Sequence, residues 1–193
     1  MHDDTHLIHR ACQGDQDAIA ALYRHHVDAI HRYIRYRVPD APAAEDLTAE
    51  VFLRMVEGLP GYKLNGAPFE AWLYRIASAR VADYYRRRSR RPQESLTETE
   101  PDRAELPEGW LQNEEEQTAL RAALCQLSAE QQDVLLLRFV ERKSHAEVAA
   151  LLGKSVTAIK STQHRALNRL AELMGLSEKA RHYLRGKHDD EFA

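Results

Sequence analysis

The chain has 193 residues, 44% hydrophobic and 30% charged, with 8 glycines and 7 prolines. It therefore has the size of one large or two small soluble domains, and its Ala-, Leu-, Arg- and Glu-rich composition favours helices over strands. No apolar run approaches the roughly 20 residues of a membrane helix, and the N-terminus lacks a secretory signal pattern. Cys12 and Cys125 form neither a disulfide framework nor a CxxC motif. The net charge is −3, whereas a small protein that binds duplex DNA alone is usually basic.

The expected location is the cytoplasm, with no membrane insertion. In chain order, Ile19, Leu22, Tyr23, Val27, Ile30, Tyr33 and Ile34 recur at helical spacing. They predict an amphipathic helix that begins near Asp15 and is ended by Pro39 and Pro42. A second helix is predicted from about Ala44, with Leu47, Val51, Phe52, Met55, Val56 and Leu59 as its buried stripe. Gly58, Pro60 and Gly61 stop it. Asp46 and Glu50 share one face of this helix, either as acids that complement the helix dipole or as an acidic docking face. A loop, Tyr62 to Ala67, leads to Pro68, which is expected to stand in the first turn of a third helix. The third helix carries Phe69, Trp72, Leu73, Ile76, Ala77, Val81 and Tyr84.

That third helix runs into a basic segment. Arg75, Arg80, Arg86, Arg87, Arg88, Arg90 and Arg91 are opposed by one acid, Asp83. Either the arginines form a solvated end, or the combination of aromatic rings and guanidinium groups serves a polyanion, with bases stacked on rings and phosphates paired by arginine. Residues 92–118 reverse the sign: nine acids stand against Arg103, with Pro92, Pro101 and Pro107 between them. This stretch reads as an extended acidic linker.

Beyond the linker, Leu120, Leu124 and Leu127 precede Ser128 and Gln131, a capping-box pattern. Val134 to Val140 is apolar nearly all round and is expected to be deeply buried. Ser144 with Glu147 caps the next helix, which ends at Gly153. Ser155 caps the last long helix, anchored by Val156 and Ile159, with Ala166, Leu167 and Leu170 on its inner face. Helix, glycine turn, helix is the helix-turn-helix layout. The outward residues Thr157, Lys160, Ser161, His164 and Arg165 include no acid and suit phosphates and base edges in a major groove. An all-α fold is therefore expected: two small helical domains, residues 1–91 and 119–175, joined by the linker 92–118 and followed by a short tail, 176–193.

These residues resemble the extracytoplasmic-function (ECF) sigma factors, small sigma subunits of bacterial RNA polymerase. The similarity runs from about Asp15 to Gly175. It rests on Ala44-Glu45-Asp46-Leu47-Thr48-Ala49-Glu50-Val51-Phe52-Leu53, Trp72-Leu73-Tyr74-Arg75-Ile76-Ala77 and Asp83-Tyr84-Tyr85-Arg86-Arg87 in the first domain. In the second it rests on Leu127-Ser128-Ala129-Glu130-Gln131-Gln132, Leu135 to Phe139, Glu147 to Gly153, Ile159-Lys160-Ser161 and His164 to Leu167.

The resemblance implies an alternative sigma factor that directs promoter-specific initiation. It implies that Asp46, Leu47, Glu50, Val51 and Arg54 meet core RNA polymerase. Tyr62, Lys63, Asn65, Phe69, Trp72, Arg80, Arg86, Arg87 and Arg88 would serve the −10 element of promoter DNA. Thr157, Lys160, Ser161, His164 and Arg165 would read the −35 element. It further implies a free monomer, an anti-sigma protein as inhibitor, and a linker that threads toward the polymerase active centre and RNA exit channel. Ala79 stands where many members have Asn, Lys143 where an apolar residue is usual, and Thr162-Gln163 where Arg-Leu is common. The last change is expected to alter −35 preference.

Two other readings use the same residues. A helix-turn-helix regulator would bind duplex tightly by itself, but leaves the arginine-aromatic helix and the acidic face without a role. An enzyme would need chemistry the chain does not display: no HExxH, no Cys/His ligand set and no Gly-rich phosphate loop occurs. The histidines, including His2, His6, His9, His25 and His26, read as surface residues, and the cysteines as buried thiols. No metal and no cofactor is expected.

Overall fold

The computed structural model describes residues 2–64, 66–90 and 114–176, with side chains described over 5–64, 66–90 and 119–176. Asn65, residues 91–113 of the basic end and linker, and the tail from 177 onward lie outside the described residues. The described residues form eight α-helices and no strand. They fall into two compact units, divided between Asp102 and Arg103.

The first unit contains α1 (His2–Cys12), α2 (Gln16–Arg35), α3 (Ala41–Gly58) and α4 (Phe69–Arg90). Asp15 caps α2, its Oδ1 accepting from the backbone N–H of Asp17 at 3.0 Å and Ala18 at 3.1 Å. Leu22, Ile30, Tyr33 and Ile34 then face the core of the bundle. Pro39 follows the end of α2, but Pro42 does not end that helix. It stands in the first turn of α3, where its missing N–H and fixed φ are harmless. Asp40 caps this turn by accepting from Ala43 N–H at 2.7 Å. The helix therefore begins at Ala41, three residues before the position expected from the apolar stripe.

Ala44, Leu47, Val51, Phe52 and Met55 of α3 pack inward, and α3 runs into a 3-10 turn, Leu59–Gly61. Leu73, Tyr74, Ala77 and Val81 of α4 close the core; from Tyr85 onward α4 is exposed. Helix α1 has no counterpart in the apolar periodicity. Only a few apolar side chains, with Ile8 and Ala11 buried, hold it against α2 and the 3-10 turn. Such a short helix draws its stability from packing rather than propensity.

The second unit contains α5 (Glu114–Cys125), α6 (Ala129–Leu135), α7 (His145–Leu152) and α8 (Val156–Leu173). Glu114, Glu115 and Glu116 were expected in the linker; they are the first turn of α5. Beyond α6 the backbone widens into a π-type turn over Leu136–Val140, with Glu141 N–H bonded to Leu136 O at 3.0 Å. Val134, Leu137, Val148, Ile159 and Ala166 form the core among these helices. Both capping boxes are present, Ser128 with Gln131 and Ser144 with Glu147. Gly153 takes φ +64° in the turn between α7 and α8, a region open to glycine without a Cβ penalty. Ile159 anchors α8 as expected, but Val156 does not: it sits in the first turn and is 40% exposed.

Candidate functional site

The outward face of α3 follows the helical repeat. Asp46 and Arg54 are exposed and Glu50 half-exposed; Arg54 is paired with Glu57 at 2.9 Å. Leu47 and Val51 are not on this face. They are 5% and 0% exposed and belong to the bundle core, which removes them as direct contacts. Other apolar side chains take their place, one that periodicity did not single out and two that it assigned to helix cores. Leu53 is 58% exposed, Val56 is turned out of the stripe it was expected in, and Tyr23 of α2 is exposed with its ring edge-on to Phe52 at 4.8 Å. Asp46, Glu50, Leu53 and Glu57 lie at helical spacing, so the face mixes acids with exposed apolar surface. The available signal was Leu53, an apolar residue off the core stripe.

The Tyr62 loop and the start of α4 form an aromatic cluster. Tyr62 and Trp72 lie 4.7 Å apart, Tyr62 and Phe69 5.3 Å, and Phe69 and Trp72 5.5 Å, with His26 adding a ring 5.6 Å from Phe69. Phe69 is buried beneath the cluster, while Tyr62 and Trp72 are half-buried. Burial pushes the Tyr62 phenol up, with a smaller rise from nearby Cys12 and an opposing pull from Arg75. Lys63 is exposed beside the cluster. Gly58 makes room for the indole: a methyl group there would lie 2.8 Å from Trp72 Cζ2.

The basic end of α4 is partly committed to itself. Asp83 pairs with Arg80 at 2.5 Å and also with Arg86. Arg88 donates to the Tyr84 hydroxyl at 3.0 Å; Arg87 is exposed, as is Ala79. Another arginine, Arg37, was not singled out from the sequence. It is buried beyond the end of α2, donates to the Tyr33 hydroxyl and to Ser78 Oγ at 3.4 Å, and lies 5.0 Å from the Tyr33 ring centroid. The Tyr85 hydroxyl donates to the Arg37 carbonyl at 2.7 Å, so this segment is fastened to α4. A basic residue beside a helix end reads as surface; only packing reveals this tie.

In the second unit, Thr157, Lys160, Ser161, His164 and Arg165 are all exposed on α8. Thr162 and Gln163, expected to alter DNA preference, are buried. Gln163 Oε1 accepts from Arg138 Nε at 3.2 Å and lies 3.0 Å from His145 Nε2; Arg138 also donates to the Lys143 carbonyl. This polar node joins α8 to the turn before α7. Thr162 bonds both Glu130 and Arg165, and Lys154 pairs with Glu130 at 2.7 Å. The bond from Lys154 holds the Glu130 carboxyl below its usual range, and the capping serine does the same for Glu147.

Cys12 is half-buried; Cys125 is exposed, contrary to the expectation of a buried thiol. Among the described residues no cluster of His, Cys, Asp or Glu is placed to hold a metal ion. No helix there is long and apolar enough to cross a membrane.

Comparison with known proteins finds a sigma-factor domain in each unit. Residues 22–91 match Sigma-70 region 2, and residues 117–170 match Sigma-70 region 4. The chain is 38% identical over 172 residues to the ECF RNA polymerase sigma factor BldN of Streptomyces coelicolor, covering 87% of this chain and 64% of that longer relative. It is 33% identical to the ECF RNA polymerase sigma factor ShbA of Streptomyces griseus, covering 86% of this chain and 93% of the relative. CnrH, solved in complex with the cytosolic domain of CnrY, is similar with a TM-score of 0.64 and 25% identity, over 89% of this chain and 97% of that one. With both sigma domains present in order and a relative matched over nearly its full length, the chain belongs to the ECF sigma factors of bacterial RNA polymerase.

Proposed function

We propose that the chain joins core RNA polymerase in the cytoplasm and directs initiation at its own class of promoters, acting as a specificity subunit rather than as an enzyme. The single observation that carries this reading is the pairing of two surfaces in one chain. One is an aromatic-basic region 2 element and the other an acid-free recognition face on α8. A regulator that acted on duplex alone would need only the second.

The roles follow from the chemistry of each surface. The α3 face, with Asp46, Glu50, Arg54, Leu53 and Val56, meets core polymerase: exposed apolar side chains supply buried area and the acids set orientation. Tyr62 and Trp72 offer ring faces to unpaired bases of the −10 element, with Lys63, Arg86, Arg87 and Arg88 along the phosphates. Phe69, being buried, supports these rings from below, and Arg80, held by Asp83, braces α4. Asn65 belongs to the same loop and is assigned to it by resemblance. Thr157, Lys160, Ser161, His164 and Arg165 enter the major groove of the −35 duplex. The acidic stretch 92–118, whose last residues open α5, mimics a polyanion in the RNA path. The free protein is a monomer held by an anti-sigma protein over the same surfaces.

Run-off transcription with purified bacterial core polymerase, over genomic fragments of the source organism, tests the proposal. Transcripts that depend on the chain are expected. Glu50→Ala should weaken its binding to core, and Lys160→Ala or Arg165→Ala should lower promoter-specific initiation with core binding retained. No transcript and no complex with core, together with tight duplex binding by the chain alone, would establish the regulator instead.

A further inference from the structure

Thr162 is 2% exposed, on the inner side of α8, one turn before Arg165. Its Oγ1 donates to Glu130 Oε1 at 3.2 Å and accepts from Arg165 Nη2 at 3.2 Å. The directions are forced. A guanidinium only donates and a carboxylate only accepts, so the hydroxyl hydrogen points at Glu130 and a lone pair at Arg165. Glu130 is paired in turn, with Lys154 Nζ 2.7 Å from the same Oε1. The bond from that lysine holds the Glu130 carboxyl below its usual range. Arg165 Nε also reaches the Ser161 carbonyl at 3.5 Å, which lays the side chain back along α8. The relay thus links the turn after α7, the first turn of α6 and the outward face of α8.

We propose that Thr162 and Glu130 are positioning residues that preset the Arg165 guanidinium for reading a base edge in the −35 duplex. The inference rests on the assignment of Arg165 to that duplex. Neither Thr162 nor Glu130 needs to touch DNA. A guanidinium already held in one orientation gives up less freedom on binding, and bidentate recognition depends on the plane of the fork.

The test is run-off transcription by the holoenzyme from a promoter library randomised through the −35 element, read as base preference at each position. Arg165→Ala is expected to lose roughly 5- to 150-fold of the preference at one or two base pairs. Thr162→Val keeps the buried volume and removes the hydroxyl; it should lose roughly 2- to 12-fold at those same base pairs. Thr162→Ser should restore the native preference, and Thr162→Val should add nothing in an Arg165→Ala background. Native preference in Thr162→Val, or a loss spread evenly over all positions, overturns the positioning role. An unchanged preference in Arg165→Ala overturns both the assignment of Arg165 and the inference built on it. If Thr162→Val melts early by circular dichroism, Glu130→Ala takes its place, since it removes both the acceptor for the Thr162 hydroxyl and the partner of Lys154. A native base preference in Glu130→Ala likewise overturns the role.

Discussion

Gly58 shows how one missing methyl group places an aromatic ring. Its Cα faces the indole of Trp72, and a Cβ would come within 2.8 Å of Cζ2 and 3.3 Å of Cη2. The indole also packs against Tyr62 and Phe69, so displacing it disturbs the cluster. Gly58→Ala is therefore expected to shift the indole and cost about 1–3 kcal/mol, the usual range for overpacking. In a Trp110→Phe background, Trp72 fluorescence should change its emission maximum, and opening of the −10 element should slow. An unshifted spectrum with native melting would show that the cluster yields elsewhere. In the sequence, Gly58 reads only as a helix stop. Its second role depends on where α4 passes, and nothing local specifies that.

At the scale of the element, capping is where sequence and structure meet most directly. Ser144 Oγ accepts from Glu147 N–H at 3.2 Å, and a Glu147 carboxylate oxygen accepts from Ser144 N–H at 2.7 Å. Ser144→Ala should lower stability at neutral pH by about 1 kcal/mol. The pH dependence has a definite sign. The bonds from Ser144 lower the Glu147 pKa in the folded state, so the stabilisation is present above the unfolded value and is lost as pH falls through the carboxylate range, near about pH 4. Urea unfolding of the native chain and Ser144→Ala at pH 7 and pH 3 should show the gap narrowing in acid. A gap independent of pH would detach Glu147 from the cap. The same local logic identified Asp15 and Ser155 in the sequence, because a cap is made by residues three positions apart. It did not identify α1 or the start of α5. In α1 too few apolar residues mark a face, and Glu114–Glu116 carry the charge of the preceding stretch although they belong to the helix.

For the whole molecule, the net charge of −3 conceals opposed segments. The basic end of α4 and the face of α8 attract phosphates, while the acids of residues 92–118 repel them. Without core polymerase the chain is expected to bind duplex no more tightly than ordinary non-specific binding, about 10⁻⁴–10⁻⁶ M at physiological salt. The holoenzyme should bind its promoter far more tightly. Fluorescence anisotropy of a labelled promoter duplex, with and without core, checks this. Equal affinities would mean that polymerase contributes nothing to recognition, and the division of labour between the two units would be lost.

The all-α class, the helix-turn-helix and the five outward residues of α8 were determined by the sequence itself, because helical periodicity, caps and charge signs are local properties. The family likeness was legible for the same reason: its motifs lie on contiguous helical turns. Tertiary structure decided exposure where periodicity and resemblance disagreed or were silent. It kept Leu47 and Val51 in the buried stripe, against the contact role the resemblance gave them, buried Phe69, and exposed Leu53 and Val56. In the second unit it turned Thr162 and Gln163 inward, where they brace α8. A helix of 3.6 residues per turn presents three or four positions per two turns to its neighbours. Which positions those are depends on the crossing of the helices, and that is fixed only when the helices pack.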